Sequence, residues 1–590
     1  MNFAILFEVQ RPGIQGAGHG DNKFSQGNYI MKIVIKLFCI TAAVALSLTV
    51  LSSCGKKEAP VSGPEEQYTG ELKGGDALKV PLIAWGADII TINANGKSPK
   101  TIKNSLFDKA GLSIDLFRED DFSKQVDLYL KGEIVFLRGT MGMINGEIEK
   151  LNGTPGTQPV LIFQHSWSAG GDALVVKPGI RSVAELRGKR IAIQKNGPHV
   201  DYLLKLLKDA QVKPTEVTII WTRDLVGSRG DTPMSKFYNN DIDAAFLIIP
   251  DAKALTSQGT VGTGSEDSVK GARILLSTKT ADRIISDVYA VRRDYFDKNR
   301  EQVKEFVKAL LQSDEEVRDL VSKKDSADLK SLLSVSGRIL LDDANAVEDI
   351  KGMYADAFMA GFTGNLRFFG DANFPRNYRK LTLEIQESLI MLGLLKQPSA
   401  VAVANWDYEE LKSGLKYAQD IKVTKFDQNV ASAVAEKLSG GGSALFSFEI
   451  YFKPNQNNFP VSQYRNEFDR IIDFASTYGG ALITIEGHSD PMGFLRKKKE
   501  GGDDVVLSKI RQAAKNLSYS RSDSARSEII KYAQSKGVTL DASQFNIIGH
   551  GIDKPKFEIP QSEGEWQQNM RVQFKVLQVE AEENVFRPLK

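Results

Sequence analysis

Cysteine is nearly absent from this chain. Its 590 residues hold two, Cys39 and Cys54, and the 536 residues after Cys54 hold none. That excludes a disulfide framework, a thiolate metal site and a thiol nucleophile from almost the whole protein. Charge of one sign is lacking too. Lys and Arg number 76, Asp and Glu 74, for a net charge of +2. Such a balance gives no support to a nucleic-acid partner held by bulk charge. One long apolar run stands out, Leu37 to Leu51. It is shorter than the roughly 20 residues a membrane-spanning helix needs. The remaining composition, 42% hydrophobic and 25% charged, is globular. At roughly 100–200 residues per domain, three or four core-sized units fit the length.

The apolar run follows Met31-Lys32-Ile33-Val34-Ile35-Lys36 and ends in Leu51-Ser52-Ser53-Cys54. A basic start, a short apolar stretch and small residues read as a secretory signal. The ending resembles a bacterial lipobox, which implies cleavage before Cys54 and a diacylglycerol on its thiol. Residues 1–30 precede a complete signal and read as an extension before the true initiator, Met31. The signal is 31–53, and a chain starting at Cys54 carries 72 basic and 72 acidic residues. Residues 54–77 are rich in Lys, Glu, Gly, Pro and Ser and read as a flexible tether.

Between 78 and 425, short apolar runs alternate with amphipathic stretches. Strand candidates are Lys79–Ala84, Ile134–Leu137, Val160–Phe163, Ala173–Val176, Arg190–Ile193, Val217–Ile220, Ala244–Ile249 and Ile274–Leu276. Helices are expected at Ser182–Arg187, His199–Ala210, Val347–Met359 and Tyr378–Leu395, with an aromatic-rich packing loop at Phe362–Gly370. This alternation predicts α/β architecture with parallel sheet, and the length predicts two lobes. The run Asp172-Ala173-Leu174-Val175-Val176 followed by Ile180-Arg181-Ser182 and Leu186-Arg187-Gly188-Lys189-Arg190-Ile191-Ala192 resembles the NMT1-like, nitrate- and sulfonate-type branch of type-2 periplasmic substrate-binding proteins. Phe107–Leu112, Tyr238–Ala245 and Asp287–Val291 agree with that family in order. The resemblance covers about 78–315. It implies non-catalytic capture of a small, anionic solute between hinged lobes, for delivery to an ABC permease.

Ligands of such folds lie at strand ends and helix N-termini. The strand ends give Trp85, Gly86, Arg138, Thr140, Ser168, Asn196, Gly197 and Asp251 as candidates, with His199 and Pro250 beside them. Each has an ordinary capping or packing role as its alternative; Arg138 could equally serve an anion or an ion pair. A thiamine-pyrimidine synthase of the same superfamily uses a cysteine-rich motif that this chain lacks. No nucleophile–base pair, metal cluster or cofactor motif is visible, so the body reads as no enzyme.

Ser439-Gly440-Gly441-Gly442-Ser443 marks a linker, 426–444, before a second module at 445–578 and a tail at 579–590. Strands are expected at Ala481–Glu486, Phe545–Ile548 and Asn569–Val576, with a helix ending near Ser535. Ile485-Glu486-Gly487-His488-Ser489-Asp490-Pro491-Met492-Gly493, Leu517-Ser518-Tyr519-Ser520-Arg521, Gly549-His550-Gly551-Ile552-Asp553-Lys554-Pro555 and Asn569-Met570-Arg571-Val572 resemble, in order, the blocks of OmpA-like peptidoglycan-binding domains. That implies a βαβαββ fold of α+β class. It also implies that Asp490 and an arginine grip the diaminopimelate of a stem peptide, with Gly487, Gly493, Asn569 and Arg571 shaping the site. Charge-assisted bonds from a carboxylate and a forked guanidinium match a zwitterionic amino-acid end. A segment around Arg496–Asp504 is inserted relative to that pattern, and Leu507-Ser508-Lys509-Ile510-Arg511 repeats the arginine block. Arg521 is preferred because Asn516 precedes it; Arg511 stays open. The whole reads as a lipoprotein held to the bilayer through Cys54 and to the wall through Asp490, on the periplasmic side, with the outer membrane favoured. The rival reading is a plain tether whose receptor body has lost its ligand.

Overall fold

The structure, a computed structural model, describes residues 71–419 and 446–577, apart from 228, 229, 266 and 325. Cys54, the signal, most of the tether, the linker 426–444 and the tail lie outside the described residues. The tether was expected to run to Ala77, yet chain is already docked before that. Lys73 pairs with Glu133 at 2.8 Å, and its N–H donates to the Gly132 carbonyl.

The body has two lobes. In the first, β1 (Leu78–Leu82) and β2 (Ile114–Arg118) run parallel. Beside them, β3 (Phe136–Thr140), β4 (Pro159–Ser168), β10 (Ser286–Arg292) and β11 (Ala357–Met359) form a sheet in the order β11-β4-β10-β3. A short β12 (Ala402–Val403) pairs with β4. The second lobe is a five-stranded sheet, β7-β6-β8-β5-β9, from β5 (Asp172–Val176), β6 (Arg190–Gln194), β7 (Thr218–Thr222), β8 (Ala244–Ile248) and β9 (Arg273–Ser277). All eight expected body strands are present within a few residues.

The parallel-sheet expectation needs correction, because both lobes are mixed. β5 runs antiparallel to β8 and β9, and β10 runs antiparallel to β3 and β4. The reason is topological. Strands joined by a helical crossover stay parallel. β5 and β10 instead enter from the opposite lobe through short crossovers, Ala169–Gly171 and Thr278–Ile285, so no helix sets their direction. Three local expectations also change. The helix at 347 stops at Ala355, and Ala357–Met359 is strand. The helix at 378 stops at Met391. The aromatic segment 362–370 is helical rather than loop, a short helix Gly361–Asn365 running into a π-turn.

Helix Val200–Asp209 is amphipathic: Tyr202, Leu203, Leu204, Leu206 and Leu207 are buried on a broad apolar face, while Asp201, Lys205, Lys208 and Asp209 share the other. Asp201, Lys205 and Asp209 are buried as well, so the polar face is covered too. The C-terminal module and helix Tyr378–Met391 share in that covering, since Leu203, Leu381, Phe474 and Tyr478 belong to one continuous core cluster.

The module runs β13 (Phe446–Tyr451), helix Arg465–Thr477, β14 (Leu482–Gly487), helices Met492–Lys499 and Asp504–Ser535, β15 (Phe545–Gly549), helix Glu563–Asn569 and β16 (Arg571–Leu577). The sheet order is β13-β16-β14-β15. The inserted segment is therefore the end of one helix, a turn and the start of the next. Among the described residues, no helix is long and apolar enough to cross a membrane.

Candidate functional site

Two places carry the candidate residues. The first is the junction of the lobes. Trp85 follows β1, and its Nε1 donates to Ser166 Oγ at 2.9 Å. Gly86 lies against the Met353 backbone so tightly that a Cβ would overlap the carbonyl. Thr140 caps the helix Met141–Gly146, its Oγ1 accepting from the Met143 N–H at 3.1 Å. Asn196, at φ 57, donates from Nδ2 to Glu147 Oε1 across the lobes at 2.7 Å. Gly197 packs on the Gln194 side chain.

The anion-ligand option for Arg138 is corrected by its surroundings. The guanidinium is fully buried and paired with Asp88 at 2.7 Å and Asp287 at 2.9 Å. Burial pushes the Asp88 carboxyl up to about 7 despite Arg138's opposing pull, and raises Asp287 likewise. Two carboxylates already claim this arginine, and a third anion there would leave one of them uncompensated in a medium that penalises lone charge.

Ser168, Asp172, His199 and Thr278 do come together. Ser168 Oγ donates to Asp172 Oδ2 at 2.6 Å and lies 2.9 Å from Thr278 Oγ1. His199 Nε2 is 2.6 Å from Asp172 Oδ1. Asp251 is half-buried beside His199; burial raises its carboxyl while the imidazole opposes that. Pro250 is exposed. Asp356, which pattern reasoning missed, is pushed up to about 6 by burial, with Lys279 and Lys253 opposing and Asp172 reinforcing. Its carbonyl accepts from the Ala169 N–H at 2.7 Å, so helix 347–355 ends on the first crossover. Nothing local announces Asp356; Ala169, which bonds its carbonyl, is 187 residues away in the sequence.

The lobes also meet at Asp201, at the start of helix 200–209, which packs against Gly142 of the first lobe. Burial pushes Asp201 up to about 8. A separate concavity opens beside β11 and the segment after it, lined by Gln164, Trp167, Arg283, Phe358, Arg367 and Phe374. It uses the aromatic segment and none of the strand-end candidates.

The second place is in the module. Arg521 is buried on helix 504–535. Its Nη1 donates to the His488 carbonyl at 3.0 Å, Nε to the Gln456 carbonyl at 2.8 Å and Nη2 to the Lys453 carbonyl at 3.3 Å. Phe452 lies beneath it at 5.3 Å. Among the described residues no carboxylate pairs with it, and burial alone lowers it to about 10. Three of its five N–H donors are occupied, which leaves two. Two residues beyond His488, Asp490 stands half-buried, accepting from the Met492 N–H at 3.0 Å and facing Asn569 Nδ2 at 3.5 Å. Burial raises its carboxyl, against those two bonds.

Asn569 clamps the neighbouring loop, its Oδ1 accepting from the N–H groups of Lys556 and Phe557. Arg571 Nε sits 3.1 Å from Glu449 Oε1. That is ion-pair distance with poor hydrogen-bond direction, since the same Nε has no geometrically sound partner. We read Arg571 as a charge partner of Glu449. Gly487 lets helix 504–535 close on β14: a Cβ would overlap the Ser518 carbonyl. Gly493 has open space around it. His488 is held by Nδ1 against the Lys554 carbonyl at 2.9 Å, and burial lowers it to about 3, so it orders the turn as a neutral ring. Arg511 is exposed, 3.4 Å from Asp553.

Residues 102–319 match a protein-family model described as "NMT1/THI5 like". The taurine-binding periplasmic protein of Escherichia coli (strain K12) is 32% identical over 155 residues, covering 26% of this chain and 43% of that protein. The chain thus spans less than half of that relative's length. Among solved structures, a sulfonate transporter's periplasmic sulfonate-binding protein from Methylobacillus flagellatus KT is 18% identical, covering 59% of this chain and 96% of its own, at a TM-score of 0.41. A desulfurization enzyme is 17% identical, covering 57% and 98%, at a TM-score of 0.36. The stretch similar to the NMT1/THI5-like family model, residues 102–319, lies within the body, and the C-terminal module lies outside that match.

Proposed function

We propose that this chain is a non-catalytic receptor of the cell envelope. The body captures a small solute at the lobe junction, and the C-terminal module holds peptidoglycan. The observation that carries the first half is the two-lobe body over the matched residues, with two crossovers and Asp172, His199, Asp251 and Asp356 meeting between the lobes. Arg138 is already paired and the junction is rich in carboxyls, so a net-neutral zwitterion suits it better than the bare anion expected from sequence. Taurine, named for the relative, carries an ammonium and a sulfonate; Asp251 and Asp356 with Lys253 and Lys279 offer both signs. Titration calorimetry with taurine and simple alkanesulfonates tests this. Heat with taurine and none with ethanesulfonate is expected.

Wall binding is supported by Arg521, a buried guanidinium with unspent donors that bonds the His488 carbonyl, two residues before Asp490. A diaminopimelate-type end supplies the carboxylate that Arg521 lacks and an ammonium for Asp490. Pull-down on isolated sacculi tests it. The OmpA-like resemblance and the lipobox at Cys54 together support a periplasmic lipoprotein, with the bilayer and the wall as two anchors. Delivery to an ABC permease follows from the receptor reading.

The rival reading, a tether with a silent body, has its own support. Gly86, Thr140, Ser168 and Asn196 all spend their contacts inside the protein. Absence of heat with every solute, alongside normal sacculus binding, would select it.

A further inference from the structure

We infer that the C-terminal module is a brace on the hinge of the body, so that undocking the module and rotating the lobes are one event. The inference does not depend on which solute, if any, binds.

The two lobes are joined by Ala169–Gly171 and Thr278–Ile285. The module's turn after helix 465–477 lies directly on the second crossover. The Gly479 N–H donates to Asp282 Oδ1 at 2.8 Å, and the Arg283 N–H donates to the Thr477 carbonyl at 3.2 Å. Gly480 approaches so closely that a Cβ would overlap the Lys279 carbonyl. The same helix and turn reach the second lobe. Asp473 accepts from Lys205 Nζ at 2.6 Å, and the Tyr478 hydroxyl donates to Asp209 Oδ2 at 2.6 Å.

A third element closes the bridge. Helix 378–391 is fixed to the first lobe by Gln386 Nε2, which donates to Asn145 Oδ1 at 2.7 Å. From that helix Glu384 lies 3.6 Å from Lys205 and 2.9 Å from Arg376, whose Nε donates to the Arg283 carbonyl at 2.9 Å. The buried ammonium of Lys205 therefore belongs to the second lobe and draws its carboxylates from three bodies. Asp209 comes from its own helix, Glu384 from the helix held to the first lobe, and Asp473 from the module.

Rotating the second lobe away from either neighbour strips a buried cation of one carboxylate, Glu384 or Asp473, and a broken buried pair is costly. Packed interfaces of this kind switch between discrete arrangements rather than stretch. Hinge and module then share one equilibrium, and by linkage a ligand favouring one state of either must shift the other.

The test uses the full chain with Cys39→Ser and Cys54→Ser, which leaves no native thiol, and spin labels on Lys103→Cys and Asn240→Cys, exposed positions in the two lobes. Pulsed electron spin resonance should give one narrow inter-lobe distance. Adding Gly480→Val, which pushes the module off Lys279, should broaden the distribution and move it to longer distance, while amide exchange at Gly479 rises at least tenfold. The double variant Asp473→Asn with Tyr478→Phe removes two bonds without adding volume, and should act in the same direction by a smaller amount. Raised exchange at Gly479 with an unchanged distance distribution overturns the brace. So does a failure of both variants to raise that exchange, because the docking contact itself would then be wrong.

Discussion

Body and module each bury one arginine at the heart of a candidate site, and the two are in opposite states. Arg138 faces two carboxylates at hydrogen-bond distance. Arg521 faces three backbone carbonyls and no carboxylate among the described residues. Carbonyl dipoles satisfy N–H donors but do not neutralise a cation. The physical expectation is that the first arginine holds the fold together, whereas the second is kept in deficit for an anion from outside. A buried guanidinium identifies a ligand site only when its charge is still unanswered.

The largest effect that would break this contrast is on wall binding. Arg521→Met and Asp490→Ala should each abolish sacculus pull-down while the chain stays folded by circular dichroism. Retained binding would remove the site. Arg138→Met should do the reverse. Leaving Asp88 and Asp287 buried without their cation should cost about 3–5 kcal/mol of unfolding free energy in denaturant titrations, with pull-down unaffected in the fraction that folds.

A pH experiment sharpens the comparison within the body. Asp201, at the lobe contact, is raised to about 8 by burial, with Asp172 reinforcing and Arg376 opposing. A carboxyl whose folded pKa lies above its unfolded value favours the folded state most below about pH 4, and that contribution fades as pH rises through about 8. Asp201→Asn should therefore gain stability relative to the native chain between pH 4 and 8, read as a smaller loss of Tm over that range. An unchanged pH slope would count against burial as the cause. Smallest of all, Arg511→Ala removes an exposed ion pair and a contact over the Phe494 ring, and should change stability by less than about 1 kcal/mol and pull-down not at all.

How far the chain was legible follows from the range of each interaction. Apolar periodicity located the body strands because side-chain alternation is local. It could not show that β5 and β10 run against their neighbours, since direction depends on how the chain crosses between lobes. Arg138 was visible as a strand-end cation, but Asp88 and Asp287 lie 50 and 149 residues away. Arg511 and Arg521 share one helix, separated by about 80° around its axis, and both fit the L-S-x-x-R pattern. Burial against Phe452 and the His488 carbonyl separates them. Asp473 and Tyr478 gave no sequence signal, because their meaning arises only against Lys205 and Asp209.

By itself, then, the sequence determined the α/β pattern of the body, the change of chemistry after the glycine-rich linker and the placing of Asp490 on a turn beyond a strand. Each is written in neighbouring residues. Only the tertiary structure decided which arginine is paired with carboxylates and which is not, and that the module rests on the second crossover. Those outcomes depend on charges brought together from distant segments into a medium where an unpaired one is expensive.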